Sequence, residues 1–122
     1  MLFRSSGEDA FRTRTSDLCR VYDEIAPLVD RLGLPDTVGI ATPATVAARV
    51  ATLRARYPSL ELEGHFHNDR GLALVNALEA VKNCVRYCNT TVCGVGERSG
   101  ITSLTSHATY RPCSTSFISS AR

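Results

Sequence analysis

The 122-residue sequence predicts an α/β fold, a parallel sheet whose strands are joined by crossover helices. Three observations carry the prediction. Segments with the 3.6-residue apolar period of a helix alternate with short apolar or β-branched runs. Prolines and capping residues mark where several of these segments start or stop. The run at residues 60–67 alternates, with Glu61, Glu63, His65 and His67 on one face and Leu60, Leu62 and Phe66 on the other.

The elements follow in order. Residues 1–3 form a strand stump, and a helix starts near Ser16, capped by Thr15 or Ser16. It carries Leu18, Val21, Tyr22 and Ile25 on its apolar side and stops at Pro27. Residues 28–34 read as a strand. Thr42-Pro43 is a helix start, a capping hydroxyl before proline, and Val46, Val50, Leu53 and Tyr57 make the stripe that covers a sheet. After the strand at 60–67, Asn68 or Asp69 caps a helix at about 71–82 that would bury Leu74, Leu78 and Val81. Residues 85–92 are a strand by composition, and a glycine-rich loop at 94–100 follows. Beyond residue 104 serine and threonine dominate, so residues 105–122 are expected to be an irregular tail.

Composition narrows the functional classes. Hydrophobic content of 43% and charged content of 21% are ordinary for a folded domain. A net charge of +2 gives no case for nucleic acid or an anionic membrane surface. No apolar run approaches the roughly 18 residues of a spanning helix, and the first residues lack the apolar core of a signal peptide, so an intracellular protein is expected. The five cysteines, Cys19, Cys84, Cys88, Cys93 and Cys113, lack the spacing of a disulfide framework. Separations of four and five residues in the Cys84, Cys88, Cys93 series do not suit a zinc cluster with His107 either.

The unusual polar residues gather where strands end: Arg4, Ser6 and Glu8, then Asp36-Thr37, then His65 and His67, then Glu97-Arg98. In parallel α/β folds that edge builds active sites. Two imidazoles at i and i+2 with a carboxylate just before them, at Glu63, point one way and can close on one divalent metal ion. Arg4 offers a guanidinium fork for a carboxylate. No serine or cysteine stands in a nucleophile context, and glycine spacing at 94–100 makes no nucleotide loop.

Four segments in this order, RSSGEDAFR at 4–12, DTVGIATP at 36–43, GHFHND at 64–69 and GVGERSGIT at 94–102, resemble the homocitrate synthase and isopropylmalate synthase family. The arginine opening the first motif and the GERSGIT ending favour its homocitrate synthase branch. The resemblance covers about residues 4–104 and implies part of a (β/α)8 TIM barrel, from the end of strand five through strand eight.

It further implies a divalent metal, zinc, manganese or magnesium, held by His65 and His67, with a third carboxylate ligand supplied from strand one. Arg4, Ser6, Glu8 and Thr37 match positions lining a 2-oxoglutarate site, and Glu63 matches a catalytic carboxylate near the reacting centre. The implied reaction is a Claisen-type condensation of acetyl-CoA with 2-oxoglutarate in lysine biosynthesis, by a homodimer in the family. A chain with four strands is expected to be inactive alone and to self-associate. The alternatives are an isopropylmalate or citramalate synthase-type enzyme acting on another 2-oxo acid, or a non-catalytic metal-binding or assembly fragment. The sequence departs from the pattern at Pro35, at Asn83-Cys84 and throughout the tail.

Overall fold

In the computed structural model, which describes residues 3–109, four strands form one parallel sheet in the order β1 (Arg4–Ser6), β2 (Arg31–Asp36), β3 (Glu61–Phe66) and β4 (Tyr87–Cys88). Helices α1 (Thr15–Ile25), α2 (Pro43–Arg56) and α3 (Ala73–Lys82) make the three crossovers, and a short α4 (Leu104–Thr109) follows β4. Sequential order with every strand parallel is the progression of a (β/α)8 barrel, of which the described residues hold four strands.

The register sorts side chains into two faces. Leu32, Leu34, Leu62, Phe66 and Cys88 point to the helices and pack against Leu18 and Tyr22 of α1, Val46, Val50 and Leu53 of α2, and Ala73, Ala77 and Ala80 of α3. The other face stacks polar residues in rows: Arg4, Arg31 and Glu61, then Ser6, Gly33, Glu63 and Tyr87, then Pro35 and His65. Such rows are the inward layers of a barrel.

Helix α2 matches its sequence signals most closely. Thr42 and Thr45 close a reciprocal capping box, Pro43 takes the first turn, and Val46, Val50 and Leu53 are fully buried. Elsewhere the boundaries move. Helix α1 starts at Thr15 with Arg14 in the capping position, which makes no side-chain cap bond, and Val21 faces out. Residues Ala26–Leu28 coil into a 3-10 turn instead of starting the second strand. Strand β2 instead runs on through Pro35, because β1 has ended by that row: the Pro35 carbonyl accepts from Ala10 N (3.2 Å), so its missing N–H faces no ladder partner.

Helix α3 buries alanines and Asn76, with Leu74, Leu78 and Val81 only half-buried. Small residues let it lie close to the sheet, and the Asn76 amide donates to the Ala41 carbonyl (2.9 Å). Strand β4 is cut to two residues, since Thr91 pairs with Ser103 and the chain then coils at Val92–Gly94. Leu104–Thr109 is helical, where the serine and threonine content led to an irregular chain; residues 110–122, with Cys113, lie outside the described residues. No described helix is long and apolar enough to cross a membrane.

Candidate metal centre

Strand β3 positions the histidines as alternation requires. His65 faces the polar side and His67 follows the last strand residue, tied to the chain after β4 by its bridge with Ile101. The two Nε2 atoms lie 3.1 Å apart. His65 Nδ1 is 3.1 Å from the side-chain nitrogen of Asn89, and His67 Nδ1 is buried with no hydrogen-bond partner among the described residues.

One tautomer chain satisfies these contacts without metal: Asn89 donates to His65 Nδ1, and His65 Nε2–H donates to His67 Nε2. That leaves the His67 Nδ1–H orphaned in a buried position. The alternative is a cation between the imidazoles. Metal–nitrogen bonds of about 2.0–2.1 Å set two nitrogens on one ion roughly 3.0–3.4 Å apart, so the observed spacing fits two ligands. Asn89 with its amide turned would then accept from His65 Nδ1–H, as an outer partner of a metal-bound imidazole does. Burial, and then the nearby His67 and Arg4, push the His65 pKa down, which keeps the ring in its ligating neutral form. Among the described residues no third His, Cys, Asp or Glu joins the pair in a metal-holding group.

Below the imidazoles on the same face, Glu63 is 3% exposed and carries two ion pairs, to Arg31 Nη1 (3.1 Å) and Arg4 Nη1 (3.0 Å). Arg31 also reaches Glu61 (3.2 Å), and its guanidinium carbon stands 3.4 Å from the centre of the Tyr87 ring. Arg4 keeps half its side chain exposed. Ser6 shares the row of Glu63 and is exposed.

Loops complete the edge. Asp36, 1% exposed, accepts from the backbone N–H groups of Ile40 (2.9 Å) and Ala41 (3.0 Å); burial raises its pKa, and these two donors oppose the rise. Those bonds fold the chain back so that Thr37 Oγ1 accepts from Asp9 N (2.8 Å), which brings the loop of exposed Glu8 to that of Thr37. Arg98 spans the gap between this loop and β3: Nε and Nη2 grip the two Asp69 oxygens (2.7 and 2.9 Å), and Nη2 also donates to the Thr37 carbonyl (2.6 Å). Gly100 has φ +84°, and a Cβ there would lie 2.0 Å from the Gly94 carbonyl, so only glycine closes this loop.

Arg4, Ser6, Glu63, His65 and His67 thus share one face, while Glu8 and Thr37 meet through Asp9 at its rim. Sequence reasoning missed Arg31, Asn89 and the Arg98–Asp69 pair. Arg31 was detectable as the charged residue alternating within an apolar run, and Asn89 as the polar residue two beyond Tyr87. The partners of Arg98 were not detectable, because they come from 29 and 61 residues away.

Comparison with known proteins gives the family of the chain. The HMGL-like family model matches residues 1–110. The mitochondrial homocitrate synthase of Schizosaccharomyces pombe is 43% identical over 102 residues, covering 83% of this chain and 24% of that protein. The 2-isopropylmalate synthase of Nitrosomonas europaea is 37% identical over 121 residues, covering 90% and 24%. Among solved structures, the Bacillus subtilis HMG-CoA lyase superimposes with a TM-score of 0.81 at 24% identity, over 89% of this chain and 41% of that one. The chain spans about a quarter of the length of the synthases it matches.

Proposed function

Because this chain belongs to the HMGL-like family, we propose that it forms the last four strands of the barrel of a homocitrate synthase-like acyltransferase, with acetyl-CoA and 2-oxoglutarate as substrates, in lysine biosynthesis inside the cell. The observation that carries the reading is the convergence of His65 and His67 Nε2 at the end of β3, with Asn89 behind one ring and a buried orphan nitrogen on the other.

His65 and His67 would hold a divalent zinc, manganese or magnesium ion, which would supply a Lewis acid for a ketone carbonyl. Arg4, fixed by Glu63, turns its free donors to a substrate carboxylate. Thr37 Oγ1 already accepts from Asp9 N, which leaves its O–H to donate to the oxo acid; Ser6 offers a second hydroxyl and Glu8 an acceptor at the rim. In the condensation the acetyl-CoA methyl group loses a proton, its carbon bonds to the ketone carbon, and water then cleaves the thioester. Glu63, expected from the resemblance to be catalytic, has Arg31 and Arg4 at its two carboxylate oxygens, so we assign it the orientation of Arg4, and the methyl proton passes to a base from the part of the barrel this chain does not span.

A second reading, a synthase for another 2-oxo acid, is favoured by the longer match to an isopropylmalate synthase. A third, a metal-binding or assembly fragment without catalysis, is favoured by the lack of a third ligand among the described residues. Calorimetric titration of the purified chain with zinc or manganese, beside a thiol-release assay with acetyl-CoA and either 2-oxoglutarate or a branched 2-oxo acid, separates them. We expect binding that weakens at least about 100-fold in His65→Ala/His67→Ala, and no thiol release by the chain alone. Equal binding by the double variant sinks the metal site; turnover abolished by His67→Ala overturns the view that this chain is incomplete.

A further inference from the structure

The parts of the site farthest apart in sequence meet at one side chain, Arg98. Its guanidinium binds Asp69, two residues beyond His67, through both carboxylate oxygens, and reaches the Thr37 carbonyl at 2.6 Å. The loop it rises from is itself fastened to β3, since Asn68 N donates to the Gly100 carbonyl (2.9 Å) and Thr102 N to the Phe66 carbonyl (3.2 Å). Asp69 also lies flat against Gly39, where a Cβ would come within 2.6 Å of its Oδ2, and Gly39 has φ +65°. The base of the arginine, its carboxylate partner and the Thr37 loop are therefore all fixed in place.

We propose that Arg98 is a positioning residue, a three-way fork that holds the histidine-bearing end of β3 and the Glu8–Thr37 rim at one separation. The proposal rests on the reading of His65 and His67 as metal ligands. Stability alone does not account for this arrangement. Arg98 and Asp69 are 42% and 24% exposed, and ion pairs so wetted add little to folding. What they do fix is geometry: a planar fork engages two carboxylate oxygens and a carbonyl in set directions, where an ammonium is only a point charge. Through Thr37, which holds Asp9 N, the same contact reaches the loop of Glu8. Strands β2 and β3 already pair as far as Asp36 and Phe66, and His67 N donates to the Asp36 carbonyl at 3.5 Å; what Arg98 adds is the placement of the Thr37 and Asp69 loops beyond that last rung, where an ångström matters for reacting groups.

Arg98→Lys keeps the charge and removes the fork. In the purified chain, cobalt(II) titration followed by visible absorption reads the ligand geometry, and backbone amide spectra read the loops without metal. We expect Arg98→Lys to keep its far-UV spectrum and to melt within about 5 °C of the parent. Cobalt should bind about tenfold more weakly with an altered absorption band, and the amide resonances of Asp9, Thr37, His67 and Asn68 should shift together. Asp69→Asn should act in the same direction, and the double variant should be no worse than either single one. Parent-like cobalt affinity and absorption in Arg98→Lys, or amide shifts confined to the neighbours of residue 98, overturn the proposal. If the parent binds cobalt no better than His65→Ala/His67→Ala, the metal reading fails instead, and the amide spectra alone decide the role of Arg98.

Discussion

The two halves of β3 point the same way and do opposite things. Its first half presents Glu61 and Glu63, both ion-paired: Arg31 bridges them, Arg4 and Arg86 add further ion pairs, and the Tyr87 hydroxyl donates to Glu61, while Glu63 Oε1 makes no hydrogen bond among the described residues. Its second half presents His65, with His67 just past its end, and these two have each other, one amide and an orphaned nitrogen. Four residues at alternate positions therefore divide into a charge-paired layer and two imidazoles with no ion pair among the described residues. The difference teaches that charge pairing holds the lower layer, while the imidazoles above it have only each other and the Asn89 amide as side-chain hydrogen-bond partners among the described residues.

The sharpest way to break this division is to disturb the lower layer alone. Arg31→Ala leaves Glu63 buried with Arg4 as its remaining cation, and we expect a loss of about 3 kcal/mol in urea denaturation. Metal affinity of the folded fraction should change less than about threefold, as the imidazoles keep their neighbours. A large loss of metal binding with intact folding would show that the two layers are coupled.

Gly100→Ala tests the upper region from its lid. The left-handed backbone and the contact with the Gly94 carbonyl should cost about 2 kcal/mol, and the loop shift should weaken metal binding as well because Gly100 O holds Asn68 N. A destabilised protein with unchanged metal affinity would free the site from this loop.

The smallest effect is in pH. Burial lowers the pKa of both His65 and His107, below the unfolded value of about 6.5. Both rings are neutral in either state above that pH, so their contribution is fully present there. As pH falls the unfolded chain takes up protons first, and stability is lost on the way down through the depressed folded values. Urea midpoints measured from pH 7.5 to 5.5 should fall, and His65→Gln should flatten the slope; an unchanged slope would mean that His65 is not desolvated as the fold indicates.

Much of this was legible from local chemistry. The cap and proline at Thr42-Pro43 and the stripe from Val46 to Tyr57 act within one helix, so spacing alone sufficed. Alternation in β3 needed only a strand with one greasy face to send both histidines the same way. Less legible was α3, where helical spacing nominated leucines and close packing chose Ala73, Ala77 and Ala80. Its contact distance is set by the partner, which the helix does not encode.

The sequence by itself determined the order of strands and helices, the faces of β3, the motif set that marks the family, and the two histidines as a pair. These follow from period, caps and residue type, which act over a few residues. Only the tertiary structure decided that Glu63 is locked by Arg4 and Arg31, that Asn89 backs His65, and that Arg98 joins Asp69 to Thr37. Each depends on strand register or on loops meeting across tens of residues, and such contacts exist only once the sheet has fixed every strand beside its neighbour.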